Sequence, residues 1–437
     1  MSTTVAETGF HPQAFEQFLS ARREPSWLTD LRRRAWRAFR ELDLPDSRSE
    51  EWRRTDIRLL RLDRFGLPAV PAPTVVEPEA LLAANVELAG RTASLDTHVQ
   101  TAELGARWSA QGVMFGSLDE LLAEHGDLFR PNLTRRIIDP RVDKFAALSG
   151  ACWSGGTLLY VPRGVAIDRP LHTFSGLSPG GVDLGRTLVV LDEGAEATLL
   201  AETGSLEASG AGLHCGTTEI IVGPGARLRY VGLQNWGTGV WHFAHQKAVV
   251  ERGGRLQWTI GALGSRLAKV NQHVVLAGRD ADVQVNGVMF TEGKQHLSYH
   301  TLQHHREPYC HSDFLYKGAL QDRSHLVWRG MIKVDPGCDK TDAYQRDDNL
   351  LLSESARADS IPGLEIEADD VRCSHGATAG RVDDEQIFYA QNRGLTRKEA
   401  VRMIVAGFFQ QVFDRITIDS VRDALGDAIR RRVREYQ

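Results

Sequence analysis

The apolar positions of this chain change their period twice. Near the start, Trp27, Leu28, Leu31, Ala35, Ala38, Phe39 and Leu42 recur at three- and four-residue steps, which line one face of a helix. Ser26 stands where an N-cap is expected, and Pro45 closes the segment. Between them Arg32, Arg33, Arg34, Arg37 and Arg40 read as a solvated basic face. A loop rich in Pro and Val follows over Leu67–Pro78. Ser117-Leu-Asp-Glu120 is a capping box that predicts a short helix over Leu118–His125.

From about Phe145 the step falls to two. Arg186–Leu191, Ala226–Tyr230, Arg255–Ile260, Ala281–Val285 and His325–Val334 alternate or are densely apolar, as strands do. Turn residues recur between them. Gly194, Gly225, Gly254 and Gly278 stand roughly thirty residues apart, with further turns expected at Asp322 and Ser355. Strands and tight turns at that period predict a solenoid, since one coil cannot bury its inner face until the next stacks on it. A two-sheet sandwich would need hairpin signals, and Asn286-Gly287 is the only such dipeptide in this stretch. The chain is therefore expected to be mostly β. A parallel β-helix over 145–372 lies between an N-terminal helical or mixed region, 1–144, and a C-terminal helical domain, 373–437.

In that last part the period returns to helical. Thr396-Arg-Lys-Glu399 is a second capping box. The helix it opens carries Val401, Ile404, Phe408, Phe409, Val412 and Phe413, too many apolar residues for one face, so it must be covered on several sides. A final helix is expected over Val421–Tyr436. A second protein docking on these helices and packing on the chain's own β-body are both consistent with that excess.

Composition narrows the function. Lys plus Arg total 52 and Asp plus Glu 57, a net charge of −5, which gives no support to a nucleic acid as main partner. The longest apolar run, Met403–Phe409, is far short of the ~20 residues that cross a membrane. The opening MSTTVAETGF has neither the basic nor the apolar part of a signal peptide, so a cytoplasmic protein is expected. The five cysteines, Cys152, Cys215, Cys310, Cys338 and Cys373, form no CxxC pair, which argues against a structural zinc site or a disulfide framework. No G-x-x-x-x-G-K-[ST] phosphate cradle is present, so the chain is not expected to hydrolyse ATP.

Two groups of metal-capable residues remain. His296, His300, His304, His305 and His311 cluster beside Cys310. On a strand, residues four apart lie about 13 Å from each other, too far to share one ion. Cys373-Ser374-His375 places a thiol and an imidazole on one side of a strand about 6.6 Å apart, able to meet iron or the edge of an iron–sulfur cluster whose other ligands come from elsewhere. The bland alternative is a small buried cysteine and a strand-end histidine.

The stretch Cys373–Tyr389, then Asn392–Ala400 and the Phe408-Phe409 helix, resembles the signature of the SufB/SufD family of iron–sulfur cluster assembly proteins. Asp143–Leu148, Trp153–Thr157 and Val161–Val165 resemble its entry into a β-helix, and Glu51–Asp56 its N-terminal motif. Having His375 where the SufB branch is expected to carry a cysteine, and no N-terminal cysteine cluster, the chain resembles the SufD branch. The resemblance implies a right-handed parallel β-helix in a cytosolic hetero-oligomer with a SufB-like paralogue and a SufC-like ABC ATPase. It implies a scaffold role, with His375 and Cys373 at the assembly interface. The ATPase would dock on Thr396, Glu399, Val401, Ile404, Phe408, Phe409, Val412 and Phe413. No cofactor would be held stably by this chain alone, and a transient cluster and a reduced flavin would belong to the complex. The rivals are a SufB-like homodimeric paralogue and a β-helix carbohydrate enzyme. The latter needs paired carboxylates, for which Asp347-Asp348 and Asp369-Asp370 are read as turn residues.

Overall fold

The computed structural model describes residues 9–22, 24–67, 80–84, 86–134 and 138–433. Most of the Leu67–Pro78 loop and the end of the expected last helix, including Tyr436, lie outside them.

Successive strands alternate between two ten-stranded sheets. Glu196–Ser205, Arg227–Asn235, Arg255–Ala262, Asp282–Thr291, His311–Leu320, Asp342–Leu351 and Arg372–Arg381 lie side by side in the first. Ala211–Val222, Gly239–Val250, Leu267–Leu276, His296–His305, His325–Val334 and Arg357–Ile366 do so in the second. Each pairs in parallel with the strand one coil away, as His311 does with Asp282 and Asp342. The result is a β-solenoid of about eight turns with helices at both ends of the chain. Arg186–Leu191 and His325–Val334 are strands from end to end, and the other three expected strands are the first parts of longer ones. Asn286-Gly287 sits inside a strand rather than at a hairpin.

The coil holds its period through its corners and its core. A residue of positive φ recurs at one corner, at Gly194, Gly225, Gly253 and Asp280. Gly254 and Gly278 serve differently: a Cβ at Gly278 would stand 2.0 Å from the Arg252 nitrogen of the coil below. Inside, Leu171, Leu199, Tyr230, Trp258, Val285 and Phe314 stack in register, all buried. Each such side chain contributes roughly 1.5–3 kcal/mol through burial alone.

Both outer faces are covered in their middle. The helices Pro12–Ser20 and Ser26–Glu41 join the helix Lys144–Cys152 over the second sheet, with Phe145 stacked on Phe243 at 3.6 Å. The helices Arg397–Phe413 and Asp419–Arg432 lie on the first sheet, against Val231, Leu233, Val288, Phe290 and Leu315.

Several expectations are corrected. The coil starts earlier than residue 145, since Gly90–Leu95 already pairs with Leu171–Leu177, while Lys144–Cys152 is helical. It also runs past residue 372: Arg372–Arg381 is its last strand, and the helices begin at Asp384. Ser26 is helical with Pro25 before it, and no side chain caps that end. The helix from Leu118 continues to Thr134 through a break at His125. Arg32 is not solvated. It is fully buried between the carboxylate of Glu24, at 2.7 Å, and the carbonyls of Ala151 and Trp153. Asp347-Asp348 is not a turn but lies within the strand Asp342–Leu351, both residues buried.

Candidate functional site

The two ends of the coil differ. At the entry, each sheet closes with an antiparallel strand, His98–Leu104 in one and Met114–Ser117 in the other. At the far end the sheets stop at Arg372–Arg381 and Arg357–Ile366, each with one neighbour only among the described residues. Most of the first and the end of the second are exposed. A parallel sheet edge presents unpaired N–H and C=O groups, and a solenoid without a cap exposes its last inner layer.

Cys373 and His375 belong to that layer. Cys373 pairs with Ala343, and His375 with Gln345, both buried inner-face residues. The core column that runs through Trp258, Val285 and Phe314 continues through Gln345 and ends on His375, which is exposed because no further coil covers it. Cys373 is half-buried against the cluster of Ile332, Val334, Cys338 and Ala343, and burial pushes its thiol up. The two side chains share a face at the spacing a strand imposes. Among the described residues no three His, Cys, Asp or Glu side chains come together to hold a metal ion, so Cys373 and His375 could hold one only with ligands from another chain.

Beneath the end lies a polar floor that sequence reasoning missed. Asp347 accepts hydrogen bonds from Ser360 Oγ at 2.5 Å and Asn349 Nδ2 at 2.7 Å, and burial raises its carboxyl to about 7. Gln345 Nε2 donates to the carbonyls of Gly330 and Gly363. The signal was present in the phase of that strand, whose inner positions Gln345, Asp347 and Asn349 are polar where the preceding strand of the sheet has Phe314, Tyr316 and Gly318.

The residues expected to receive an ATPase divide. Val401, Phe409, Val412 and Phe413 are buried against the chain's own first sheet and are not available to a partner. Ile404 and Phe408 are part-buried. Thr396 and Glu399 are exposed and bond each other in the capping box. The apolar residues that do face outward are Phe388, Tyr389 and Met403, between 53% and 65% exposed. Periodicity could not mark these, because a helix apolar all round does not say which side its own body takes.

With the geometry in place, the chain can be compared with known proteins. A family model described as the SufBD core domain of the SUF iron–sulfur cluster assembly system matches residues 174–408. A second, the SufBD protein N-terminal region, matches 13–173. The chain belongs to the SufBD family. The iron–sulfur cluster assembly protein SufB of Bacillus subtilis is 27% identical over 421 residues, covering 93% of this chain and 89% of that protein. A SufBD family protein of Staphylococcus epidermidis is 26% identical over 428 residues, with the same coverage, and so is one of Staphylococcus haemolyticus. The SufBD core match takes in the bare end of the coil and stops within the helix Arg397–Phe413.

The histidine-rich strand of this SufBD chain does not form a joint site. His304 pairs with Asp335, His305 with Ser312 and His311 with Asp282, while Cys310 donates to the Gly278 carbonyl. His296 meets His325 at 3.0 Å. His300 joins a cluster that anchors the N-terminal Glu51–Asp56 motif to the coil. Glu51 Oε2 is 2.6 Å from His300 Nδ1, Arg329 pairs with Glu50 and Glu51, and Lys269 Nζ lies 2.7 Å from His300 Nε2. Burial lowers Lys269 to about 7, and the His300 bond holds Glu51 near 2. All five cysteines are free thiols.

Proposed function

We propose that this chain is a SufD-like scaffold subunit that assembles iron–sulfur clusters in the cytoplasm with a SufB-like paralogue and an ABC-type ATPase of the SufC kind. The observation that carries the reading is the bare end of the coil. Its two last strands offer backbone groups with which another strand can pair, and its final inner layer presents His375 beside Cys373. A paralogue's end seated there would supply the ligands these two lack, with the cluster as cargo built between the chains. Phe388, Tyr389 and Met403, with Thr396, Glu399, Ile404 and Phe408 around them, form the surface offered to the ATPase. ATP hydrolysis would then move the helices that lie on the first sheet and, through that sheet, the bare end. No phosphate-cradling motif occurs in the chain, in keeping with a scaffold that borrows its motor.

The test is reconstitution of the three-component complex under anaerobic conditions with His375→Ala. The expected result is an intact complex with a large loss of cluster absorbance. Normal cluster yield would remove His375 from the mechanism. The same bare end supports a second reading, a pair of identical chains, since like ends can meet about a twofold axis. Native mass spectrometry of the co-expressed proteins separates the two.

A further inference from the structure

The SufBD reading makes no use of a cleft on the opposite side of the molecule from the C-terminal helices. It opens between the helix Ser26–Glu41, the helix Lys144–Cys152 and the outer face of the second sheet, and encloses about 230 Å³. Its wall is apolar, formed by Leu28, Leu31, Ala35 and Trp153. Cavities for drug-sized ligands run to roughly 300–1,000 Å³, so this one suits a single-ring molecule.

Its charge is one-sided. Four arginines line it, Arg34, Arg37, Arg141 and Arg186, against two acids, Asp139 and Glu219. Two of the four are committed. Arg186 is bound to Glu219, with its Nε 3.0 Å from the carboxylate, and Arg141 pairs with Glu41 at 2.9 Å. Asp139 accepts the Arg141 backbone N–H at 2.9 Å. Arg34 and Arg37 are exposed and have no ion-pair partner among the described residues. They are free to bind an anion.

The sheet side of the cleft is closed: Thr217, beside Arg186 in the register, is more than nine-tenths buried, and its hydroxyl is shut off from solvent.

We infer that this cleft binds a small amphipathic anion. A carboxylate or phosphate would sit at Arg34 and Arg37, and an aromatic or short aliphatic body against Leu28, Leu31 and Trp153. The two contacts define the ligand class without reference to cluster assembly.

The test uses the full chain and the probe 3-(4-hydroxyphenyl)propionate, followed by calorimetry and by ligand-observed NMR. Saturable one-to-one binding is expected. It should weaken ~10-fold in the double variant Arg34→Gln/Arg37→Gln, whose sites are on the surface and do not threaten folding. Leu31→Trp, which fills the cleft from a half-buried position, should abolish it. Absence of saturable binding to the native protein overturns the inference. So does binding that survives both the double variant and Leu31→Trp.

Discussion

Single residues show how the N-terminal motif is tied to the coil. Glu51 is half-exposed, yet it meets both His300 and Arg329, and its carboxyl is held near 2 chiefly by the His300 hydrogen bond. A carboxylate lowered in this way contributes stability that is present above about pH 4.5 and lost as pH falls toward 2. His300 acts in the same direction. Burial lowers its folded pKa, so between that value and 6.5 the unfolded chain binds more protons and stability rises with pH. Lys269, lowered to about 7, adds a further rise between 7 and its ordinary 10.5. Thermal melts should therefore show progressive loss of stability below pH 6. Glu51→Gln should cost roughly 1 kcal/mol at pH 7, reduced from a buried-pair value by solvent screening, and should flatten the acid limb between pH 4.5 and 2. An unchanged acid limb in the variant would show that the pairing carries no stability. None of this could be read along the chain. Glu51 and His300 lie 249 positions apart, and only the packing of the Glu50–Trp52 turn on the second sheet brings them together. The same limit hid Arg32, whose place in the arginine pattern looked solvated but whose partner Glu24 sits before the helix.

At the scale of elements, the helix Arg397–Phe413 has one face buried and another exposed. Phe409 is fully buried between the first sheet and the final helix. Phe409→Ala should cost about 3–5 kcal/mol and lower the melting temperature of the C-terminal layer. Phe388→Asp and Met403→Asp change exposed positions and should leave the melt within about 0.5 kcal/mol of the parent, while reducing retention of a SufC-like ATPase in a pull-down. Retention equal to the parent would move the docking surface elsewhere. The last strand of the coil offers a parallel test. Ala379 is exposed on Arg372–Arg381, and Ala379→Lys places a charge that pairing would have to desolvate. The variant should fold normally and fail to join the complex, and normal assembly would show that this strand is not part of the interface. The strands themselves were largely legible, because period two and recurrent turns report a buried inner face. What eluded sequence reading was their phase and extent. Cys373 and His375 looked like the start of a helical domain, although their alternation already fitted a strand. The apolar excess of Arg397–Phe413 was real, but most of it covers the chain's own sheet.

Taken whole, the molecule is a stack of coils capped at one end and bare at the other, with helices over the middle of both faces. In a solenoid each coil is stabilised by its neighbours, so the last coil lacks half of its contacts until something covers it. The polar floor of Gln345, Asp347 and Asn349 lies just inside that end, and His375 stands at its surface. The stacking of coils followed from sequence period and from the SufBD resemblance together. The asymmetry between the ends did not, because a terminal strand and an internal strand share one pattern.

The most direct measurement of the central proposal is a photocrosslinker placed at position 375, in a complex co-expressed with the SufB-like paralogue and the SufC-like ATPase. The crosslinked product is predicted to be this chain joined to the paralogue, with the attachment on the last coil of that partner. An intact complex in which position 375 joins nothing, or joins the ATPase, would contradict an assembly interface at the bare end.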